Sequence, residues 1–172
     1  MTVMKTLHID YSKCIGCETC EFVCRFVHST PRIMMTRTTD GLMMPLYCRH
    51  CEDPNCARVC KQGAITRDPH GAMVLEPLKC RGCASRACML ACPFAAMLET
   101  DKGVMLTKCD LCAERRGRGM GPACVDMCPC GAISHVEVSE LAALDTPEAR
   151  AAEALVLAHI RPGGSPSGSK AG

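Results

Sequence analysis

Apolar positions along this chain come in short runs, broken by polar and turn-forming residues. Leu7-His-Ile-Asp-Tyr11, Met73-Val-Leu-Glu76 and Val104-Met-Leu-Thr107 read as short strands. Each delivers the chain to a segment crowded with cysteine. The stretches Cys20–Cys24, Cys56–Cys60, Cys88–Cys92 and Cys124–Cys128 each suit a short helical turn. Asp68-Pro-His-Gly71, Asp101-Lys-Gly103 and Asp40-Gly41 read as hairpin turns, the last flanked by Met34-Met35 and Met43-Met44. The pattern changes after Val138. Ser139 is placed to cap a helix over Glu140 to Leu144, and Thr146-Pro147-Glu148 starts another, with Pro at the first helical position. Residues 149–160 then alternate small, apolar and charged side chains as an amphipathic helix does. The tail 161–172, rich in Gly, Ser and Pro, has no apolar surface to bury and is expected to be disordered.

The chain has 172 residues, and seventeen are cysteine, about a tenth of the total and far above ordinary usage. Tryptophan is absent, and there are two tyrosines and three phenylalanines. With large packing residues so scarce, covalent or metal links have to hold the interior. Sixteen cysteines form four groups: Cys14, Cys17, Cys20, Cys24; Cys48, Cys51, Cys56, Cys60; Cys80, Cys83, Cys88, Cys92; and Cys109, Cys112, Cys124, Cys128. Cys130 is left over. The flanks repeat as well. Cys60-Lys-Gln-Gly-Ala-Ile65 echoes Cys92-Pro-Phe-Ala-Ala-Met97 and Cys128-Pro-Cys-Gly-Ala-Ile133.

A net charge of +2 makes no case for nucleic acid. No run of 18 apolar residues exists, so no membrane span is expected. The N-terminus lacks the apolar stretch of an export signal, and Arg115-Arg116 is internal. A cytoplasmic, reducing compartment follows as the expectation, or the periplasm if the chain is carried across folded on a partner. No nucleotide loop or Ser-His-Asp arrangement stands out.

Three chemistries compete for the thiols. Disulfides need oxidising surroundings and would leave one of seventeen unpaired. Zinc sites commonly use two separated Cys-x2-Cys pairs. A [4Fe–4S] cluster fits the spacing better: three cysteines in a compact loop hold three corners, and a fourth a few residues on ligates a different cluster. The first group matches the bacterial run C-x2-C-x2-C-x3-C, and Cys92-Pro93 and Cys128-Pro129 carry the proline that often follows the last cysteine. Sixteen thiolates make four sets of four, hence four [4Fe–4S] clusters that form much of the core. The rival class is a cysteine-rich, zinc-binding structural module without a redox role.

These residues resemble the four-cluster ferredoxin subunits that accompany molybdenum and tungsten oxidoreductases, formate dehydrogenase and hydrogenase complexes, and carbon monoxide dehydrogenase. The likeness runs from about Met4 to Val138. Its most specific pieces are Cys109-x2-Cys112 with Cys124-x3-Cys128-Pro129 after a long gap, and Tyr47-Cys-Arg-His-Cys-Glu-Asp-Pro-Asn-Cys56 closed by Cys60. The resemblance implies an α+β fold of two ferredoxin-like modules, with short strands, short helices and many loops. Residues 1–138 would form this double domain, the outer module from 1–45 with 100–138 and the inner from 46–99. A helical extension over 139–160 and the disordered tail 161–172 would follow. It also implies crossed ligation: Cys14, Cys17, Cys20 with Cys128; Cys109, Cys112, Cys124 with Cys24; Cys48, Cys51, Cys56 with Cys92; and Cys80, Cys83, Cys88 with Cys60.

The implied function is electron transfer along a row of four clusters, from or to a large catalytic subunit oxidising an aldehyde, formate, hydrogen or carbon monoxide. The chain would not be catalytic alone. That partner would be a tungsten or molybdenum enzyme, a hydrogenase or a carbon monoxide dehydrogenase. Self-association, or contact with a further redox subunit, stays open, and the helical C-terminus is a candidate contact. Lys61 departs from the family, standing where proline often follows the closing cysteine, and a cation there favours a reduced cluster. Cys130 also departs, and reads as a free thiol.

Other residues are expected to play supporting parts. The six histidines, His8, His28, His50, His70, His135 and His159, are surplus to the four cysteine sets, and His50 is placed to donate to a sulfur. The cations Arg25, Arg49, Arg58, Lys79, Arg81, Arg86, Lys108, Arg115, Arg116 and Arg118 form either a solvated face or a set that offsets cluster charge and makes a docking rim. The twelve methionines are expected to pack around clusters or a partner.

Overall fold

A computed structural model describes residues 4–38, 41–100 and 106–160. The fold is α+β, built from two-stranded antiparallel ribbons and short helices joined by loops. Strand β1 (Lys5–Ile9) pairs with β8 (Ile133–Glu137), Lys5 opposite Glu137 and Ile9 opposite Ile133. The two ends of the cysteine-bearing chain are thereby closed on each other. Amides beyond the strands extend the ribbon: Asp10 donates to the Ala132 carbonyl and Val138 to that of Met4. β2 (Met34–Arg37) pairs with β3 (Met43–Leu46), β4 (Ile65–Arg67) with β5 (Met73–Leu75), and β6 (Leu98–Glu99) with β7 (Leu106–Thr107).

The helices lie beside the cysteines. α1 (Thr19–His28) carries Cys20 and Cys24, and α6 (Ala123–Asp126), which carries Cys124, packs against it. α2 (Asn55–Arg58) packs against α4 (Ala87–Ala91) in the same manner, bringing the second cysteine group to the third. α3 (Pro77–Cys80) and α5 (Ala113–Gly117) lead into and out of the third and fourth groups. None of α2 to α6 exceeds five residues, too few to hold a helix without tertiary support.

The repeated flanks have a structural reason. In Ala64-Ile65, Ala96-Met97 and Ala132-Ile133 every residue is buried, each pair at or next to the start of a strand. The Asp68–Gly71 turn joins β4 to β5: the Asp68 carboxylate accepts the amides of His70 and Ala72, both at 2.9 Å. Gly71 has φ +86°, and a Cβ there would meet Met4 Cγ at 3.0 Å. Gly16, with φ +68°, would bring a Cβ to 2.8 Å from Met43 Cβ. The first cysteine loop therefore lies directly on β3. The turn expected at Asp101–Gly103, most of the Asp40-Gly41 turn and the tail 161–172 lie outside the described residues, as do the first two residues of the strand expected at Val104–Thr107.

The C-terminal helices attach to this body. A 3₁₀ turn over Val138–Glu140 runs into α7 (Leu141–Leu144). Its cap is not Ser139: the Glu137 and Glu140 side chains form a capping box, with Glu140 accepting the Glu137 amide at 2.8 Å. Thr146 does cap α8 (Pro147–Ile160), accepting the Ala149 amide at 3.1 Å. α8 buries Val156 in the main core, with Ala152 and Ile160 packed against it. Arg49 holds it from below, pairing with Glu153 while its guanidinium lies over the rings of Tyr47 and Phe94.

The interior falls into two clusters. The larger gathers Leu7, Ile9, Tyr11, Ile33, Leu111 and Val156 around Cys20, Cys24, Cys48, Cys109 and Cys124. The smaller gathers Ala64, Ile65, Met73, Met97 and Leu106 around Cys80 and Cys88. Among the described residues, no helix is long and apolar enough to cross a membrane.

Candidate metal centre

The cysteine loops bring sulfurs from distant segments to common spaces. One cavity is walled by Cys60, Cys80, Cys83 and Cys88, with Ala64, Ile65, Leu75 and Leu106 around them. It encloses about 350 Å³ of atom-free space, part of it open to solvent. A second, of about 320 Å³, is walled by Cys24, Cys109, Cys112 and Cys124 together with Leu7, Ile33, Pro122 and Ala123. In each, three thiols come from one group and the fourth from another.

The remaining eight thiols influence one another electrostatically in two sets. Burial raises Cys14, and the sulfurs of Cys130, Cys17 and Cys128 raise it further. Burial pushes Cys20 up to about 12, with Cys14 and Cys17 adding to it. Cys51 is raised by burial and then by Cys48 and Cys92. Burial pushes Cys56 up to about 11, with the same two sulfurs beside it. The electrostatic influence of one set also reaches the next: Cys20 adds to the upward shift of Cys124, and Cys48 to that of Cys109.

Tested against a [4Fe–4S] cluster, the donor set fits. All seventeen cysteines are free thiols. Thiols driven upward by burial need a cationic partner to ionise, and iron supplies one. Backbone amides already point at the sulfurs: Arg32 to Cys24 at 3.2 Å, Ala64 to Cys60 at 3.3 Å, and Ala96 to Cys92 and Leu111 to Cys109 at 3.4 Å. Such donors stabilise sulfur-borne charge and tune a cluster's potential. Among the described residues, no three Cys, His, Asp or Glu side chains converge closely enough to share one metal ion. The sulfurs stand around a space instead of meeting at a point.

The histidine that reaches a sulfur is His28, not His50. Its Nε2 lies 3.3 Å from Cys112 Sγ, across 84 residues of sequence. His28 follows Cys24 by one helical turn on α1, a spacing that points both side chains to the same side. The His50 ring instead accepts the Met73 amide at Nδ1, 2.9 Å away, while the His50 backbone amide faces Cys48 Sγ at 3.5 Å. Cys130 sits 3.7 Å from Cys128, sulfur to sulfur. Burial opposes it, yet the amide hydrogens of Ala132 and Ile15 hold the Cys130 thiol below its ordinary value.

The cations divide. Arg25, Arg58, Lys79 and Arg118 are more than half exposed. Arg116 and Lys108 are not solvated. Arg116 pairs with Asp68 at 2.7 Å with both side chains nearly covered, and Lys108 is 3% exposed. Arg32, absent from the sequence-derived set, pairs with Asp110 at 2.5 Å on the wall of the second cavity.

Comparison with known proteins agrees with this chemistry. Residues 39–138 match the 4Fe-4S dicluster domain, and residues 7–26 a 4Fe-4S binding domain. Three relatives come from Escherichia coli. The probable anaerobic dimethyl sulfoxide reductase chain YnfG is 30% identical, over 82% of this chain and 77% of the relative. The putative electron transport protein YsaA is 38% identical, over 77% and 89%. Electron transport protein HydN is 33% identical, over 82% and 93%. Since the dicluster model spans more than half of the residues, this chain belongs to the 4Fe-4S dicluster ferredoxin family and carries multiple [4Fe–4S] clusters.

Proposed function

We propose that the sixteen grouped cysteines hold four [4Fe–4S] clusters in a row, and that the chain is the electron-transfer subunit of an oxidoreductase complex. The quartets are Cys14, Cys17, Cys20, Cys128; Cys24, Cys109, Cys112, Cys124; Cys48, Cys51, Cys56, Cys92; and Cys60, Cys80, Cys83, Cys88. The observation that carries this reading is the pair of cavities, each walled by one complete quartet drawn from two sequence groups. The packing of α1, which carries Cys20, against α6, which carries Cys124, supports the first step of the row, and the electrostatic influence of Cys48 on Cys109 supports the middle one. Helix α2 against α4 supports its last step.

When bound, such clusters accept and donate single electrons. The chain's own residues hold sulfurs at fixed separations, aim amides at them and shield them with Leu7, Ile33, Ile65 and Leu111. By count every iron has its cysteine, so bond-making chemistry on a substrate belongs to a partner. That partner is a large catalytic oxidoreductase subunit, of the tungsten, molybdenum, hydrogenase or carbon monoxide dehydrogenase type. YnfG, which is named as part of a dimethyl sulfoxide reductase, supports that assembly. We divide the body into an outer module, 1–45 with 100–138, and an inner module, 46–99. Cysteines that ligate clusters have to stay reduced, which suits the cytoplasm, or the periplasm if the chain is carried across folded on a partner.

Anaerobic purification tests the reading. The expected product is brown, absorbs broadly near 400 nm, holds about sixteen irons per chain and brings a large catalytic chain with it. A colourless chain with stoichiometric zinc and no sulfide overturns it.

A further inference from the structure

Lys108 differs from the other cations around the cysteines. It is 3% exposed, among residues that are almost never fully buried unless paired. Its ammonium donates to two main-chain carbonyls, those of Met73 and of Cys109, the second at 2.7 Å. Both acceptors are neutral. Carbonyl dipoles offset only part of the cost of taking an ammonium out of water, and a nearby negative charge has to supply the rest.

The surroundings show where that charge belongs. Met73 lies in β5, in the middle of the chain, and Cys109 follows β7 at the start of the fourth cysteine group. The ammonium therefore joins the two parts of the fold. It touches the main chain of Cys109 on one side, and on the other Met73, whose amide donates to the His50 ring at 2.9 Å while the His50 amide faces Cys48 Sγ at 3.5 Å, so the ammonium stands between Cys109 and Cys48. These two cysteines belong to different quartets, and they are the quartets at the centre of the row.

We propose that Lys108 is a buried counter-cation shared by the two central clusters and raises the reduction potential of both. The inference rests on the quartets proposed above. One added electron makes a cluster more negative by one charge, and a cation fixed in the low-dielectric interior favours that state. Solvent and salt screen a covered charge poorly. The one exposed cysteine among the sixteen, Cys17, belongs to an end quartet, where screening is stronger. Lys108 is then a positioning and tuning residue that lowers the barrier at the junction of the row.

The test is an anaerobic redox titration of the holo-protein, followed by paramagnetic resonance, for the wild type, Lys108→Met and Lys108→Arg. Variants Cys112→Ser and Cys51→Ser identify the two central signals. In Lys108→Met both central midpoints should fall. The reduced-to-oxidised ratio at a fixed potential should drop about tenfold, equivalent to 59 mV for one electron. The end centres should move much less, and Lys108→Arg should restore the wild-type values. Unchanged central midpoints, a shift of one alone, or an equal shift of all four overturns the proposal. If Lys108→Met loses iron while Lys108→Arg keeps it, the need for charge is upheld; loss from both overturns it. A wild type without reducible centres overturns the cluster reading itself, and this inference with it, whereas four centres indifferent to Lys108 overturn only the latter.

Discussion

The two parts of the molecule enclose their thiols differently. Where the chain ends meet, a five-residue strand pair, the ten-residue α1 and the docked α8 cover the sulfurs, and Cys20, Cys24, Cys109, Cys112 and Cys124 are all buried. In the middle, three-residue strands and helices of four or five residues do the same task. There Cys51, Cys56, Cys60, Cys83 and Cys92 stay partly exposed. The first region has an apolar core that stabilises it directly, with Leu7, Ile33, Leu111 and Val156 each contributing about 1.5–3 kcal/mol by burial. The second has little core of its own and depends on metal–sulfur bonds.

Removing iron with a chelator under reducing conditions breaks this comparison most severely. The expected outcome is complete loss of amide hydrogen-exchange protection between 55 and 99, while β1 and β8 keep a measurable part of theirs. Equal loss in both regions would refute the contrast. Single-ligand variants come next. Cys109→Ala should remove about four of sixteen irons and also lower thermal stability, because it empties a covered site. Cys83→Ala should remove as much iron with less effect on the melting transition. Iron analysis and calorimetry on the same samples check both.

A smaller effect is expected from Val156→Ala, about 2 kcal/mol, by opening a void beneath α8. Limited proteolysis should then cut α8 before the rest of the chain, and uniform digestion would show that the helix is not separately docked. Least of all, Cys130→Ser should leave the iron content unchanged. Lost iron would reveal Cys130 as a ligand in place of its neighbour Cys128, 3.7 Å away.

The cysteine groups were legible because cluster ligation is written in local spacing: three sulfurs must reach one small body from one loop. Strands β1 and β5 and the helices α1, α2, α4 and α6 were legible for a similar reason, as apolar runs and cysteine spacing mark them, whereas α3 and α5 were not. β8 was not. Its residues are half-buried apart from Ile133, and it is a strand only because β1 lies alongside. The cap at Glu137 was missed because Ser139 offers an equally good local signal. The contact of His28 with Cys112 was hidden by 84 intervening residues, although the turn-to-turn spacing of Cys24 and His28 on α1 was a usable clue.

By itself the sequence determined the chemistry: sixteen thiols in four groups, flanked by repeated segments that start strands, and too few aromatics to fill a core without metal. Tertiary structure alone decided which groups share a space, which cations leave water, and that Lys108 lies beneath the surface between the two parts. The division has a physical cause. A ligand loop is set by bond lengths over a few residues, whereas burial and electrostatic neighbourhood depend on segments that only folding brings together.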